Sequence, residues 1–428
     1  MSTALLTDHY ELTMLQATLA DGTAERRCVF EVFGRRLNGG RRFGVVAGTG
    51  RVLDALETFR FGDEEIDFLR RTRVVDDATC DWLADYRFGG DVWGYPEGEL
   101  WFPGSPILRV DASFAEGVIL ETVILSILNH DSAIASAAAR MTMAAGDRPC
   151  IEMGSRRTHE ESAVAAARAA YIAGFAATSN LEAGRRYGIP TTGTAAHSFT
   201  LLHDDERQAF ESQVQALGRG TTLLVDTYDI TQGVANAIDV GGAELGAVRL
   251  DSGDLADVAR ATRAQLDAAG NTDTKITVTS DLDEYAIAAL AAAPVDGYGV
   301  GTSLVTGSGV PTSGFVYKLV AREAADGSMV AVAKKSKDKV SVGGRKTALR
   351  RLTARGVAEA EVVGIDVRPR DDGDDRELMV PLVEAGDRVD FSTLDDARAR
   401  LRASLRELPA AARRLSAGDP AIPTVYEG

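Results

Sequence analysis

Between about Cys150 and Leu319, short apolar runs rich in Val, Ile and Thr alternate with Ala-rich runs of helical period. The strand candidates are PCIEMG, GFAATSN, IPTTGTAAHS, TLLVDTYD, GAVRLDSGD, KITVTSD and DGYGVGTS. Helical candidates such as EESAVAAARAAYIA, DERQAFESQVQAL, ITQGVANAID and LADVARATRAQLDAA fill the gaps. Strand and helix in alternation predict parallel βαβ units, and seven strands favour a (β/α) barrel over an open sheet.

The flanking segments follow other periods. CVFEVFGRRL predicts a strand with Val29, Glu31 and Phe33 interleaved, and GELWFPGSPILRVDASF, with two prolines among β-formers, predicts strands and turns. The stretch AEGVILETVILSILNHDSAIASAAARM is apolar nearly all round at three- and four-residue spacing, the pattern of a long buried helix. Towards the C-terminus, GSMVAVAKKSKDKVSVGG predicts strands with turns, and the segment from Thr393 to Leu415 predicts an amphipathic helix capped by Thr393 or Asp395. RPRDDGDDREL reads as a solvated, charge-dense loop. The fold expected is α/β. Residues 1–140 form a mixed α+β segment with the long helix, 141–320 the barrel, and 321–428 C-terminal strands and a helix that join the N-terminal strands in a second domain.

Charge narrows the partners. With 63 acidic and 47 basic residues the net charge is −16, which argues against nucleic acid or an anionic membrane surface as partner but leaves room for a local basic pocket. No apolar run reaches ~18 residues, so no membrane span is expected. The N-terminus MSTALLTDHYELTM lacks the basic and apolar regions of a secretory signal. Cys28, Cys80 and Cys150 make no metal-ligand spacing, and a reducing, cytoplasmic location is expected. Of seven lysines, six fall between Lys318 and Lys346, either a solvated strip or one that touches phosphate.

Each predicted barrel strand ends in polar residues, and in a parallel barrel those ends share one mouth. Each alone is an ordinary helix cap; together they favour a site. Arg156, Arg157 and Arg249 offer bidentate anion recognition. Gly299, Gly301, Thr302 and Ser303 form a small-residue loop suited to phosphate at a helix N-terminus. Asp226, Asp251 and Asp281 are candidates for Mg²⁺, which is held by one or two carboxylates together with substrate phosphate. Phosphoryl or phosphoribosyl chemistry follows. His197 is one of only five histidines and has no second His or Cys at ligand spacing. A structural histidine, a general base and a nucleophile remain open for it; a carboxylate holding its other nitrogen, with Asp226 the candidate, would suit the last.

The ordered set LLTDHYELTML, FEVFGRRL, IEMGSRRTHEE, GFAATSNLEAGRRYGIPTTGTAAHSF, LLVDTYDITQGVANAI, VRLDSGDL, VTSDLDEY, DGYGVGTS, GFVYKLV and KKSKDKVSVGGRK resembles the bacterial nicotinate phosphoribosyltransferases, over residues 5 to about 347. The resemblance implies an irregular (β/α) barrel with a second domain built from both termini. It also implies a homodimer whose sites are each completed by the neighbour. The reaction implied joins nicotinate to 5-phosphoribosyl 1-pyrophosphate, giving nicotinate mononucleotide and pyrophosphate, the first step of NAD salvage. ATP hydrolysis is coupled to it.

The roles implied are these. ATP phosphorylates His197, and Asp226 orients it. Tyr10 stacks on the pyridine ring from the partner subunit. Arg156 and Arg249 approach the carboxylate and the ribosyl phosphate, with Ser280 and Asp281 nearby. Asp251 holds the ribose hydroxyls or, with Asp281, Mg²⁺. Gly301 and Thr302 bind the 5′-phosphate, and Lys334, Lys335 and Lys337 hold ATP or pyrophosphate. Met153 stands where relatives often carry a stacking aromatic and is expected to cover one ring face. Asn180 stands where nicotinamide-using relatives carry an aspartate, which favours nicotinate. Two other readings are a nicotinamide phosphoribosyltransferase and a non-catalytic metabolite-binding paralogue. Quinolinate phosphoribosyltransferases share the general fold, but their pocket must hold two carboxylates.

Overall fold

The computed structural model describes residues 2–334 and 341–428. The chain divides into two compact units, one of Met1–Ser136 with Val310–Gly428 and one of Ala137–Gly309.

The second unit carries the alternating strands. β1 (Cys150–Glu152), β2 (Ala177–Thr178), β3 (Thr222–Leu224), β4 (Ala247–Leu250), β5 (Lys275–Val278) and β6 (Gly297–Val300) form one parallel sheet in the order β2-β1-β6-β5-β4-β3. The sheet curls as a half-barrel. Val248, Leu250, Ile276, Val278 and Val300 are fully buried, as expected of strands covered on both faces. The seventh candidate, IPTTGTAAHS, is not a strand. Only Thr191 bridges, to Thr178, with Thr178 N–H donating to the Pro190 carbonyl (3.0 Å) and Thr192 N–H to the Thr178 carbonyl (2.9 Å). Pro190 brings no N–H, and Gly193 adds no side chain to pack, so pairing stops after one residue. The chain continues as loop until His197 opens the helix His197–Leu202.

In the first unit, strand Arg27–Gly34 lies antiparallel between Phe315–Glu323 and Leu108–Ser113 within a seven-stranded sheet that also holds Asp91–Gly94 and Val380–Glu384. Residues from both ends of the chain therefore share one sheet. Phe30 stacks on Tyr317 at 5.1 Å. Glu31 does not alternate into water: it is buried, and its Oε2 takes a 2.8 Å hydrogen bond from the buried Lys346 Nζ. A second sheet contains Lys346–Leu352 and Ala358–Ile365. From it Arg350, fully buried, donates to the Leu100 carbonyl (2.9 Å) and to Glu361 Oε2 (3.3 Å), and lies 3.6 Å from Glu99. Arg376 donates to Glu99 (2.6 Å) and Glu407 (2.7 Å).

The expected long helix is broken. Phe114–Val118 is a short helix capped by Ser113 with Glu116, and the main helix runs Glu121–Ala145. Together they make the one stretch among the described residues long and apolar enough to cross a membrane, but 67% of its apolar window is buried inside the protein, so it reads as a core helix. The C-terminal helix Leu394–Glu407 is capped by Thr393, whose hydroxyl accepts from Asp396 N–H while the Asp396 carboxylate accepts from Thr393 N–H.

Candidate active site

Because all six strands run parallel, their C-terminal ends face one side of the sheet. His197 sits at the start of its helix rather than at a strand end, with its side chain 41% exposed. Its Nδ1 lies 3.1 Å from Thr227 Oγ1, just past β3. Its Nε2 faces Asp226 Oδ1 at 3.9 Å and Asp251 Oδ2 at 4.0 Å. The hydroxyl of Thr227 is the ring's direct hydrogen-bond partner, while Asp226, at 3.9 Å, faces the other nitrogen at ion-pair rather than hydrogen-bond distance.

Asp226 has a further task in this geometry. Its Oδ2 accepts from Asp251 N–H (2.9 Å) and Ser252 Oγ (2.8 Å), tying the end of β3 to the end of β4. Its Oδ1 is buried without a hydrogen-bond partner among the described residues. Asp251 is in turn held by the Thr279 hydroxyl, which donates to Oδ1 and leaves Oδ2 towards the histidine. Three consecutive strand ends thus lock two carboxylates against one imidazole.

Arg249, on β4, donates to Thr194 Oγ1 (2.6 Å) in the loop that leads to His197. Burial draws its pKa down, Asp251 and Asp226 oppose that, and the exposed Arg156 adds a like charge. Its Nε is buried without a partner among the described residues, a donor suited to an anionic ligand.

On β1 and β2 a buried carboxylate organises the turn. Glu152 accepts from Gly154 N–H and from the Thr178 hydroxyl, and Thr178 Oγ1 accepts from Asn180 N–H (2.9 Å). Burial raises the Glu152 pKa, and these bonds oppose the rise. Asn180 caps the helix Leu181–Tyr187 through Oδ1 (2.9 Å from Ala183 N), and its Nδ2 donates to Ser155 Oγ (3.0 Å).

Met153 lies beside β6. A Cβ added to Gly299 would stand 2.7 Å from Met153 Sδ and 2.5 Å from Thr279 Cγ2. Gly299→Ala is therefore expected to lower stability by roughly 1–3 kcal/mol, read as a lower urea midpoint. Gly301 caps a helix of only one turn, Thr302–Val305, so phosphate there would meet backbone N–H groups rather than a long helix dipole. Ser280 carries a φ of 141°, a conformation L residues rarely adopt and one that concentrates at functional sites. Asp281, next to it, is exposed.

Tyr10 and Lys334 belong to the other unit. Tyr10 lies in the first turn of helix His9–Asp21 and is 45% exposed; burial and the neighbouring Glu121 push its phenol up to about 12, so it stays neutral. Lys334 is exposed, and Lys335 and Lys337 lie outside the described residues. The residues to which sequence reasoning gave no role of their own are hydroxyls: Thr227 and Ser252, seen only as polar strand ends, and Thr194 and Thr279, not singled out at all. Two of them stand directly beside a charged strand-end residue, a signal the sequence does contain.

Residues 5–129 match the family described as the nicotinate phosphoribosyltransferase (NAPRTase) N-terminal domain. A nicotinate phosphoribosyltransferase of Mycobacterium tuberculosis is 59% identical over 434 residues, covering 98% of this chain and 94% of that one. A nicotinate phosphoribosyltransferase of Bacillus subtilis is 41% identical, covering 82% and 73%. The crystal structure of human nicotinic acid phosphoribosyltransferase superposes with a TM-score of 0.83 at 26% identity, covering 98% of this chain and 97% of that one.

Proposed function

The chain belongs to the nicotinate phosphoribosyltransferase family, and from that premise we propose that it makes nicotinate mononucleotide and pyrophosphate from nicotinate and 5-phosphoribosyl 1-pyrophosphate, coupled to ATP through a phosphohistidine at His197. The observation that carries this is the ring of His197, with one nitrogen on Thr227 and the other facing Asp226 and Asp251.

Two carboxylates opposite Nε2 favour keeping the proton on that nitrogen. Nδ1 then holds the lone pair, which accepts from the Thr227 hydroxyl at rest and is released from it as ATP binds. The lone pair attacks the γ-phosphorus of ATP, the bond to the bridging oxygen breaks, and ADP leaves. Asp226 and Asp251 stabilise the positive charge that develops on the ring. Arg156 and Arg249 hold the anionic groups of the pyridine and phosphoribosyl substrates, Ser280 lines the mouth, and Gly301 and Thr302 take the 5′-phosphate. Asp251 and the exposed Asp281 would be the carboxylates to hold Mg²⁺, which would neutralise the departing pyrophosphate. The pyridine nitrogen attacks C1 of the ribose as the C1–O bond to pyrophosphate breaks and intact pyrophosphate leaves, and positioning supplies most of the acceleration. Water then cleaves the phosphohistidine and resets the site. A second copy of the chain would present its Tyr10 to the pyridine ring, Met153 would cover the other ring face, and the lysines from Lys334 onward would hold ATP or pyrophosphate. A cytoplasmic homodimer is the form in which this chemistry is expected.

The test is a turnover assay with nicotinate or nicotinamide, with and without ATP. Nicotinate turnover that rises with ATP supports the proposal, and preferential use of nicotinamide would overturn it. Asn180→Asp keeps the helix cap, since Asp and Asn cap equally well, so the unfolding free energy measured in urea is expected to stay within about 0.5 kcal/mol of wild type. The added charge is expected to lower kcat/KM for nicotinate by roughly tenfold or more.

A further inference from the structure

We propose that Ser155 is the hydroxyl that donates to the substrate carboxylate, and hence a specificity-determining residue for pyridine carboxylates over pyridine amides. This rests on the function proposed above. Asn180 Oδ1 accepts from a backbone N–H, which can only donate, so the side-chain amide has one orientation. Its Nδ2 therefore points at Ser155 Oγ, 3.0 Å away, and the serine oxygen must be the acceptor. The Ser155 proton is then turned away from Asn180. No described residue accepts it, and Ser155 is half-buried, directly before Arg156.

The surroundings fix this arrangement. Asn180 N–H is held by Thr178, and Thr178 by the buried Glu152, which also holds Gly154 N–H next to the serine. The hydroxyl thus projects from a turn braced on both sides. A carboxylate oxygen satisfies that donor. An amide offers one acceptor oxygen where a carboxylate offers two, so with an amide only one of the two adjacent donors, Ser155 and Arg156, can be satisfied.

The same geometry changes the expected route by which Asn180→Asp acts. An aspartate would keep one oxygen on Ala183 N–H and present the other to Ser155. The serine proton would turn inward and the substrate would lose its donor. Ser155→Ala is expected to raise KM for nicotinate roughly 10- to 100-fold with kcat little changed, the pattern of a lost binding contact. Ser155→Thr, which keeps the hydroxyl, is expected to restore it. Asn180→Asp is expected to cost much less in the Ser155→Ala background than in wild type, a non-additivity that direct charge repulsion would not produce. The same variants are titrated with nicotinate by calorimetry, and urea midpoints check folding. An unchanged KM in Ser155→Ala, or an equal cost of Asn180→Asp in both backgrounds, overturns the proposal while nicotinate turnover by the wild type keeps the functional reading intact. Wild-type protein that neither turns over nor binds nicotinate would sink both.

Discussion

In the His197→Ala variant, phosphate transfer from ATP to the protein is expected to disappear, and a slow, ATP-independent synthesis of the mononucleotide to remain. The ring is flanked by a hydroxyl at 3.1 Å and by two carboxylates at 3.9 and 4.0 Å. Removing it leaves Arg249, Asp251 and the phosphate loop in place, so substrates can still be positioned. What vanishes is the energetic link between ATP and donor binding. For a coupling free energy of about 1–3 kcal/mol, ATP would tighten the donor roughly 5- to 150-fold in wild type. The variant is expected to show a ratio of one. Mass spectrometry after incubation with ATP, and donor KM with and without ATP, check this. Intact ATP stimulation in the variant would refute the role of His197.

The second large effect concerns stability. Arg350 is fully buried, with Glu361 at 3.3 Å and Glu99 at 3.6 Å. Arg350→Ala leaves Glu99 with Arg376, but strips Glu361 of its cation and leaves it with the Tyr95 hydroxyl. Breaking a buried pair from one side costs about 3–5 kcal/mol, so a marked drop in urea midpoint is expected. Its pH dependence has a definite sign. Burial already raises the Glu361 pKa and Arg350 opposes the rise. Without the arginine the folded-state pKa climbs further, and the unpaired charge is relieved by protonation. The deficit is therefore largest at neutral pH and narrows as pH falls. Arg350→Met combined with Glu361→Gln is expected to recover much of the loss, because no unpaired charge remains. A deficit independent of pH would mean that lost packing, rather than the stranded carboxylate, causes it.

Much of the barrel unit was legible because its parallel strands lie in short, mostly apolar runs separated by helical segments. Six of the seven candidates are strands. The seventh, around Pro190 and Gly193, has the right composition but cannot continue a ladder past one bridge, and composition does not report hydrogen bonding. The charged groups of the mouth were legible for the same reason: Asp226 and Asp251 stand just past such runs, and Arg249 is the one charge within its run. The hydroxyls that hold them were not. Thr227 and His197 are 30 residues apart, and Arg249 and Thr194 are 55 apart. Pairings across strand ends depend on register, which periodicity does not encode. Glu31 shows the limit most clearly. It shares a strand face with Val29 and Phe33, and the partner that neutralises it there, Lys346, lies 315 residues away.

That separation governs how the chain must be made. Strand Arg27–Gly34 leaves the ribosome early, but its neighbour Phe315–Glu323 follows about 280 residues later. At roughly 5–20 residues per second the wait is on the order of 15–55 s. Throughout that interval an apolar strand has one edge unpaired, the condition that invites association with other chains. The intervening barrel residues, whose sheet partners are all their own, can complete their pairing first. Synthesis is thus expected to yield a finished insert within an unfinished host, and the nascent N-terminal segment is the part of this protein most in need of a chaperone.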